Sequence, residues 1–343
     1  MTAAFAVTAG WDLPVGDPSH VHAAVAMADS AVTHAGLSTA DRAACALIAT
    51  ELATNLARHA RDGRLVATAT DPGPAAWVQL AATDHGPGIP DVAAAMADGF
   101  STANSLGGGL GACQRAAGVF DLYAAAGAGT VVIARTGPGA AAAAGPARVG
   151  GILAAHPEEQ ESGDAWAVLE DAGGLTVAMV DGLGHGPDAA KAAAASLHTI
   201  AEAGPAGPVA LLNQLNRELA GGRGAVAGIA RLAGGEISYG GIGNIGARLA
   251  GHGLVSSMGT LGLGQRLRPQ ATAAPWRAHS LFAAHSDGIR SSWDLSRYPG
   301  VTRHDPAVMA ALIWRDAATR GDDSAVVIMA GGAGGAGGAG GVR

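Results

Sequence analysis

The chain has 343 residues, 54 of them glycine, and a formal net charge of −7 at pH 7. That length predicts about two domains, and a negative charge without a lysine or arginine cluster argues against nucleic acid as a partner. No apolar run approaches the ~18 residues of a membrane span, and the beginning lacks the basic stretch of a signal peptide. We therefore expect a cytoplasmic protein without a membrane partner.

In the first half, helical and strand patterns alternate. Ser38 and Asp41 form a predicted capping box, and a helical stripe of apolar residues follows it at Cys45, Ile48, Leu52 and Leu56. Residues 64–70 and 76–83 alternate as strands do, residues 109–118 suit a helix, and residues 120–124 and 130–135 suit a hairpin.

A segment rich in glycine, proline and alanine separates the two halves, and such residues punctuate domain boundaries. We predict a first domain over residues 1–137, a linker over 138–147, a second domain over 148–330 and a flexible glycine- and alanine-rich tail over 331–343.

In the second half, strand-like runs surround a pair of helices. The predicted helices cover residues 188–203 and 208–219. The predicted strands are residues 149–155, 165–169, 175–180, 225–232, 236–240, 247–250, 281–285 and 324–329. Strands grouped around a helix pair indicate an α+β fold.

Three motifs in the first half suit ATP and magnesium. Glu51 and Asn55 lie four residues apart, so they share one helical face, where a carboxylate can accept a proton and an amide oxygen can bind magnesium. Asp84 opens an Asp-His-Gly-Pro-Gly turn and can accept from an adenine amino group. A glycine-rich run before a helix offers backbone N–H groups to phosphates. It comprises Gly107, Gly108, Gly109, Leu110 and Gly111.

The order of these motifs resembles the N, G1 and G2 boxes of the GHKL ATPases, which include gyrase, Hsp90 and the histidine kinases. The stretch 84–91, followed by Met96-x-Asp98-Gly99-Phe100-Ser101-Thr102, resembles the RsbT-type serine kinases and anti-sigma factors of bacterial stress signalling over residues 15–136. One departure is Asn104-Ser105, where those kinases usually have another glycine.

The resemblance implies a Bergerat-type α/β sandwich that binds ATP and Mg²⁺. In it Glu51 is the catalytic base, Asn55 is the magnesium ligand and Asp84 binds adenine. The remaining nucleotide contacts are implied at Gly86, Gly88, Gly107, Gly108, Gly109, Leu110 and Gly111.

Acidic residues recur at predicted strand ends in the second half, at Asp164, Asp181, Asp287 and the pair Asp322-Asp323. Any one of them suits an ordinary turn, because Asp-Gly is a strong turn signal. Together they can meet at one end of a sandwich, where carboxylates repel one another unless cations neutralise them. Two Mn²⁺ or Mg²⁺ ions about 3.5–4 Å apart would do so and would activate a water.

This half resembles the metal-dependent PPM phosphatases of the SpoIIE/RsbX type. The resemblance covers residues 147–330 and rests on Ser162-Gly163-Asp164, on Asp181-Gly182-Leu183-Gly184-His185-Gly186, on His285-Ser286-Asp287-Gly288 and on Gly321-Asp322-Asp323. It implies a β-sandwich flanked by helices, with a catalytic Asp181 that bridges both metals. The other implied ligands are the Gly182 carbonyl, Asp164, Asp287 and either Asp322 or Asp323. His185 stays outside this set, because a histidine beside a glycine turn is usually structural.

Together the two resemblances imply a bifunctional signalling switch. The first domain would phosphorylate serine or threonine of a STAS-domain antagonist in a stress or sigma-factor pathway, and the second would remove such phosphates. The alternative is a phosphatase whose first domain only binds ATP and a sigma-factor or anti-sigma partner. Mg²⁺ and Mn²⁺ stay open at the metal pair, since both accept oxygen ligands.

Overall fold

The computed structural model describes residues 4–96, 109–140, 147–159 and 161–332. The first half forms, in order, β1 (Ala4–Pro14), α1 (His20–Ala35), α2 (Thr39–His59), β2 (Arg64–Thr70), β3 (Val78–Thr83), α3 (Val92–Met96), α4 (Gly109–Ala116), β4 (Val119–Ala125) and β5 (Gly129–Thr136). The strands lie side by side in the order β1-β2-β3-β5-β4, and each neighbouring pair is antiparallel.

Helices α1, α2 and α4 cover one face of this sheet. The predicted capping box at the start of α2 is confirmed, because the Ser38 side chain accepts from the Asp41 N–H and the Asp41 carboxylate accepts from the Ser38 N–H. The predicted apolar stripe of α2 is buried. It packs on inward residues of the strands, such as Leu65 and Ala67, while Val66 between them faces the opposite side. That alternation is the period of a strand.

The second half forms β6 (Ala147–Ala154), β7 (Asp164–Asp171), β8 (Gly174–Gly182), α5 (Pro187–Ala203), α6 (Pro208–Glu218), β9 (Ala225–Ala233), β10 (Glu236–Ile242), β11 (Gly246–Leu249), β12 (His252–Leu254), β13 (Ala271–Pro275), β14 (Leu281–His285), α7 (Pro306–Ala317) and β15 (Ser324–Gly331). One sheet contains β7 to β10 and β13, and the other has the order β12-β11-β14-β15-β6. Trp166, Met179, Phe282 and Val327 fill the space between them, and α5 and α6 pack on the outer face of the first sheet.

The two halves share one ten-stranded sheet. Strand β1 pairs with β2 along most of its length and with β7 through residues 4–7, so it joins the sheets of both halves. Helix α7 lies buried between them. It contacts outer-face residues of the first half, such as Val66 and Ile133, and residues of β6 and β15, such as Ile152 and Val326.

The mixed α/β architecture, a helix-covered sheet followed by a strand-rich sandwich, is therefore confirmed. The sequence did not predict the joining of the two sheets, nor the elements β1, α1, α3, β12, β13 and α7. Helix α7 is buried from residue 306 to residue 315, and a helix that is apolar on all sides has no polar face to mark its period. Among the described residues, no helix is both long enough and apolar enough to cross a bilayer.

Candidate functional sites

A cleft of about 360 Å³, which we call the first cleft, opens between the C-terminal end of α2 and the turn that follows β3. Six of the predicted nucleotide-site residues line it: Glu51, Asn55, Asp84, Gly88, Gly109 and Leu110. Gly86 lies just behind Asp84, and Gly111 is buried within α4. Gly107 and Gly108 lie outside the described residues, as do Asp98–Thr102 and Asn104-Ser105 of the compared stretch.

Backbone hydrogen bonds hold the turn of residues 84–88 in place. The Asp84 N–H donates to the Thr130 carbonyl at 3.0 Å, and the His85 N–H donates to the Arg61 carbonyl at 2.8 Å. Gly88 has a φ of +79°, and a Cβ there would meet the Ala125 carbonyl oxygen at 2.4 Å. Only glycine suits both constraints, so the turn packs directly against the backbone at the end of β4.

The Asp84 carboxyl is 8% exposed and accepts a hydrogen bond from the Gly86 N–H. Burial raises the pKa of Asp84 above its ordinary value, while the Gly86 hydrogen bond and the charge of Arg315 oppose that rise. An ionised carboxylate has about four lone-pair sites, so at the floor of a cleft Asp84 is suited to accept from an amino group as well.

On the opposite wall, Glu51 and Asn55 follow each other along one face of α2. Behind them lies Cys113 of α4, whose pKa is raised to about 12 by burial and then by the Glu51 charge. The thiol therefore stays protonated, and the acidic side chain that this wall presents to the cleft is Glu51. Sequence reasoning missed several residues that line the cleft, among them Thr130, Arg58 and His59. Arg58 brings the positive charge that a triphosphate would require.

The second site is an open groove of about 650 Å³ at the ends of β8 and β10, which we call the aspartate groove. Asp181, Asp287 and Asp322 line it, although 141 residues separate the first from the last. Strand pairing explains part of this convergence: Asp164 of β7 lies directly opposite Asp181 of β8 in the ladder.

Asp164 is the most deeply buried of these carboxylates, at 1% exposure. Its Oδ2 atom is buried without a hydrogen-bond partner. Burial, followed by the charge of Asp181, raises the pKa of Asp164 well above its ordinary value. Burial and then the charges of Asp287 and Asp322 raise the pKa of Asp181 to about 8. Carboxylates that raise one another's pKa in this way share a site that favours added positive charge.

Asp287 follows β14 in a turn. Its Oδ2 accepts from the Asn244 side-chain amide at 2.8 Å, and burial and then the charge of Asp322 raise its pKa. Asn244 also lines the groove. Sequence reasoning missed it, although its position in a Gly-Asn step directly after the β10 run is a turn signal.

The structure distinguishes Asp322 from Asp323. Asp322 lines the groove. Asp323 is 5% exposed, and its two carboxylate oxygens accept from the backbone N–H groups of His156 and Gly163, each at 2.8 Å. Asp323 thus joins three loops, whereas Asp322 has its side chain available to the groove.

Gly182 occupies a position without room for a side chain, because a Cβ there would meet the Ala189 carbonyl oxygen of α5 at 2.2 Å. Its N–H donates to the Gly163 carbonyl at 2.9 Å. These contacts bring the ends of β7 and β8 and the start of α5 together beside Asp181.

His185 is not a core residue. Its side chain is 62% exposed, its Nδ1 lies 2.7 Å from Glu159 Oε1, and its ring stacks on His156 with centroids 5.5 Å apart. It lines the groove together with Asp181. Sequence reasoning left His185 outside the predicted set, and the structure places its side chain on the wall of the groove.

These observations fit a cation site, since an unpartnered buried carboxylate oxygen and mutually repelling carboxylates both require positive charge. In the described part of the chain, no group of three or more histidine, cysteine or acidic side chains is arranged so that it could hold a metal ion as it stands. The groove is accordingly an open acidic site.

Comparison with known proteins assigns the first domain. Residues 15–136 match the family model described as "Histidine kinase-like ATPase domain". The serine/threonine-protein kinase RsbT of Bacillus subtilis (strain 168) is 38% identical over 98 residues, which are 28% of this chain and 73% of that protein. Through its first domain, the chain belongs to the RsbT-like family of histidine kinase-like ATPase domains.

Two solved structures resemble a larger part of the chain. One, described as "The bacterial stressosome: a modular system that has been adapted to control secondary messenger signaling", is 29% identical with a TM-score of 0.50, over 53% of this chain and 98% of that one. The matched part is longer than the first domain, so the match must include part of the second domain. The other, RsbX in complex with magnesium, is 20% identical with a TM-score of 0.46, over 53% of this chain and 94% of that one.

Proposed function

We propose that the chain is a bifunctional signalling switch. Its first domain transfers the γ-phosphoryl group of ATP to serine or threonine of a STAS-domain antagonist, and its second domain hydrolyses phosphoserine or phosphothreonine of that partner or of a related one. One observation carries the proposal: Glu51, Asn55 and Asp84 share one cleft, whereas Asp181, Asp287 and Asp322 share another. Membership of the RsbT-like family supports the kinase half.

In the first cleft, each side chain has one task in phosphoryl transfer. Asp84 would accept from the adenine amino group, Asn55 would supply an oxygen ligand for Mg²⁺, and backbone N–H groups at the start of α4 would donate to the phosphates. Glu51 accepts the proton of the incoming hydroxyl. Such catalysis consists mainly of positioning and charge stabilisation, which a narrow cleft with a fixed turn favours.

In the aspartate groove, a pair of divalent cations would supply charge neutralisation and an activated water. Asp181, Asp164, Asp287 and Asp322 would hold the pair, together with the Gly182 carbonyl. Asn244 keeps Asp287 oriented through its amide. His185, backed by the Glu159 carboxylate, lies where it can donate a proton to the oxygen that leaves with the partner's side chain.

Two assays test the two halves separately. With γ-labelled ATP and candidate STAS proteins, wild type should transfer label and Glu51→Ala should not. Wild type that binds ATP but labels none of the candidates would favour the reading in which the first domain only binds ATP and a partner.

With phosphorylated partner and Mn²⁺, wild type should release phosphate. Asp181→Asn should reduce release by at least 10²-fold, which corresponds to the loss of about 3 kcal/mol of transition-state stabilisation. Full activity of Asp181→Asn would refute the proposed metal bridge.

A further inference from the structure

Two opposed activities that act on the same partner would consume ATP in a cycle unless one site responds to the other. Helix α7 belongs by sequence to the second half and packs mainly on β6 and β15, yet it also packs against the outer face of the first-half sheet. Near its C-terminal end stands Arg315, which is 5% exposed.

Arg315 reaches from the second half to the turn that bears Asp84. Its Nη1 donates to the Asp84 carbonyl and to the Ala128 carbonyl, each at 2.9 Å. Its Nη2 donates to the Tyr298 hydroxyl at 2.8 Å, and its Nε donates to Asp316 at 2.8 Å. A buried guanidinium that donates hydrogen bonds to both halves of the chain fixes the distance between the groups that it joins.

The neighbouring Asp316 strengthens the same link. Its Oδ1 lies 3.4 Å from Nε2 of His85, the residue after Asp84, and its Oδ2 accepts from the Tyr298 hydroxyl. The floor of the first cleft is therefore held by side chains of the second half.

The same end of α7 also holds the aspartate groove. The Ala317 carbonyl accepts from the Arg290 N–H at 2.9 Å, and the Thr319 N–H donates to the Gly288 carbonyl at 2.9 Å. The Thr319 hydroxyl donates to that carbonyl as well, at 3.2 Å. Gly288 follows Asp287, and Asp322 lies three residues after Thr319. Two of the groove carboxylates thus depend on the segment that continues directly from Arg315.

We propose that an adenine nucleotide in the first cleft is an effector of the aspartate groove, coupled to it through Arg315 and residues 316–319. The inference rests on the proposed nucleotide binding at Asp84. A base bound to the Asp84 carboxylate favours the arrangement in which the Asp84 carbonyl accepts from Arg315. In that arrangement the segment after α7 stays hydrogen bonded to the Gly288 carbonyl. Asp287 and Asp322 are then held in position, so they bind cations more tightly. By linkage, cations in the groove must tighten nucleotide binding by the same factor.

The experiment uses the full chain, ADP and p-nitrophenyl phosphate, so that neither a partner protein nor phosphoryl transfer is involved. At controlled free Mn²⁺, saturating ADP should lower the Mn²⁺ concentration for half-maximal hydrolysis by about fivefold or more, the ordinary lower range of allosteric coupling. In Arg315→Lys, which keeps the charge but loses the planar fork, the factor should fall to about one. Arg148→Gln is the matched control, since Arg148 also donates to a backbone carbonyl, that of His304 at 2.9 Å, and should keep the full factor.

A second readout does not depend on hydrolysis. In Mn²⁺, the dissociation constant of ADP should be higher in Asp287→Asn than in wild type by the same factor. The substitution weakens cation binding in the groove but leaves Asn55 in the first cleft unchanged. ADP that binds wild type but leaves the Mn²⁺ midpoint unchanged, or raises it, overturns the coupling and leaves the proposed function intact. Failure of wild type to bind ADP overturns both.

Discussion

Replacing Asp181 by asparagine should stabilise the metal-free protein and abolish its stabilisation by metal. In the folded protein Asp181 lies opposite Asp164 and shares the groove with Asp287 and Asp322. Without cations, folding at pH 7 requires that Asp181 either bury its charge beside the other carboxylates or take up a proton, and both oppose folding. Asparagine has nearly the same shape without the charge, so it removes the repulsion together with the ability to bridge cations.

The size of the effect follows from the pKa of Asp181, which rises from 3.8 to about 8 on folding. Because the folded state holds this proton more tightly than the unfolded chain, the contribution to stability is complete below the unfolded pKa and is lost as the pH rises towards the folded pKa. At pH 7 the shift corresponds to an upper limit of about 4 kcal/mol. Water still reaches part of the side chain, so we expect a gain of about 1–2 kcal/mol.

The assay is thermal unfolding in EDTA and in Mn²⁺. In EDTA at pH 7, Asp181→Asn should unfold about 1–3 °C above wild type, since a chain of this length shifts by roughly 1.4 °C per kcal/mol. In Mn²⁺, wild type should gain stability, by about 2.7 kcal/mol at a hundredfold excess over its dissociation constant, whereas the variant should gain little. Asp188→Asn, which removes a carboxylate 68% exposed on α5, should change neither value. A variant that is less stable than wild type in EDTA would refute the reasoning.

Three further predictions concern single positions. Affinity for ADP should fall as the pH drops through the raised pKa of Asp84, since only the ionised carboxylate accepts fully from adenine. Asp84→Asn should remove that pH dependence, and an identical pH profile in both proteins would contradict the prediction. Asp323→Ala should lower the free energy of unfolding by about 2–4 kcal/mol, measured in denaturant, because it leaves two backbone N–H groups without acceptors. Asp322→Ala should instead abolish Mn²⁺-dependent hydrolysis at little cost in stability. The reverse pattern would exchange the roles of the two residues. Gly182→Ala should cost about 1–3 kcal/mol through overpacking against the Ala189 carbonyl, while Gly207→Ala, where a Cβ meets no neighbour within 4 Å, should be nearly neutral.

Most elements could be predicted because their signals are local. The capping box of Ser38 and Asp41, the buried stripe of α2 and the alternating strands each depend on residues close in sequence. Helix α1 escaped because its alanine-rich sequence offers little contrast between its two faces, although Ala24, Ala28 and Ala31 are buried. The joining of the two sheets through β1 is a long-range pairing that no local pattern specifies.

The candidate sites divide in the same way. Motifs predicted which aspartates and glycines to examine, and six of the first-cleft residues line one cavity. The choice between Asp322 and Asp323 required the structure, because it depends on where the N–H groups of His156 and Gly163 lie. Arg315 carries no motif; its role follows only from the contact of α7 with the Asp84 turn.

The central claim is that distant carboxylates form a two-cation site beside a separate nucleotide cleft. The most direct measurement is an anomalous difference map at the manganese edge from crystals grown with Mn²⁺ and a non-hydrolysable ATP analogue. We predict two peaks about 3.5–4 Å apart among Asp181, Asp287 and Asp322, and a further peak at Asn55 beside the analogue's phosphates. A groove without manganese, or manganese bound only at Asp323, would contradict the account.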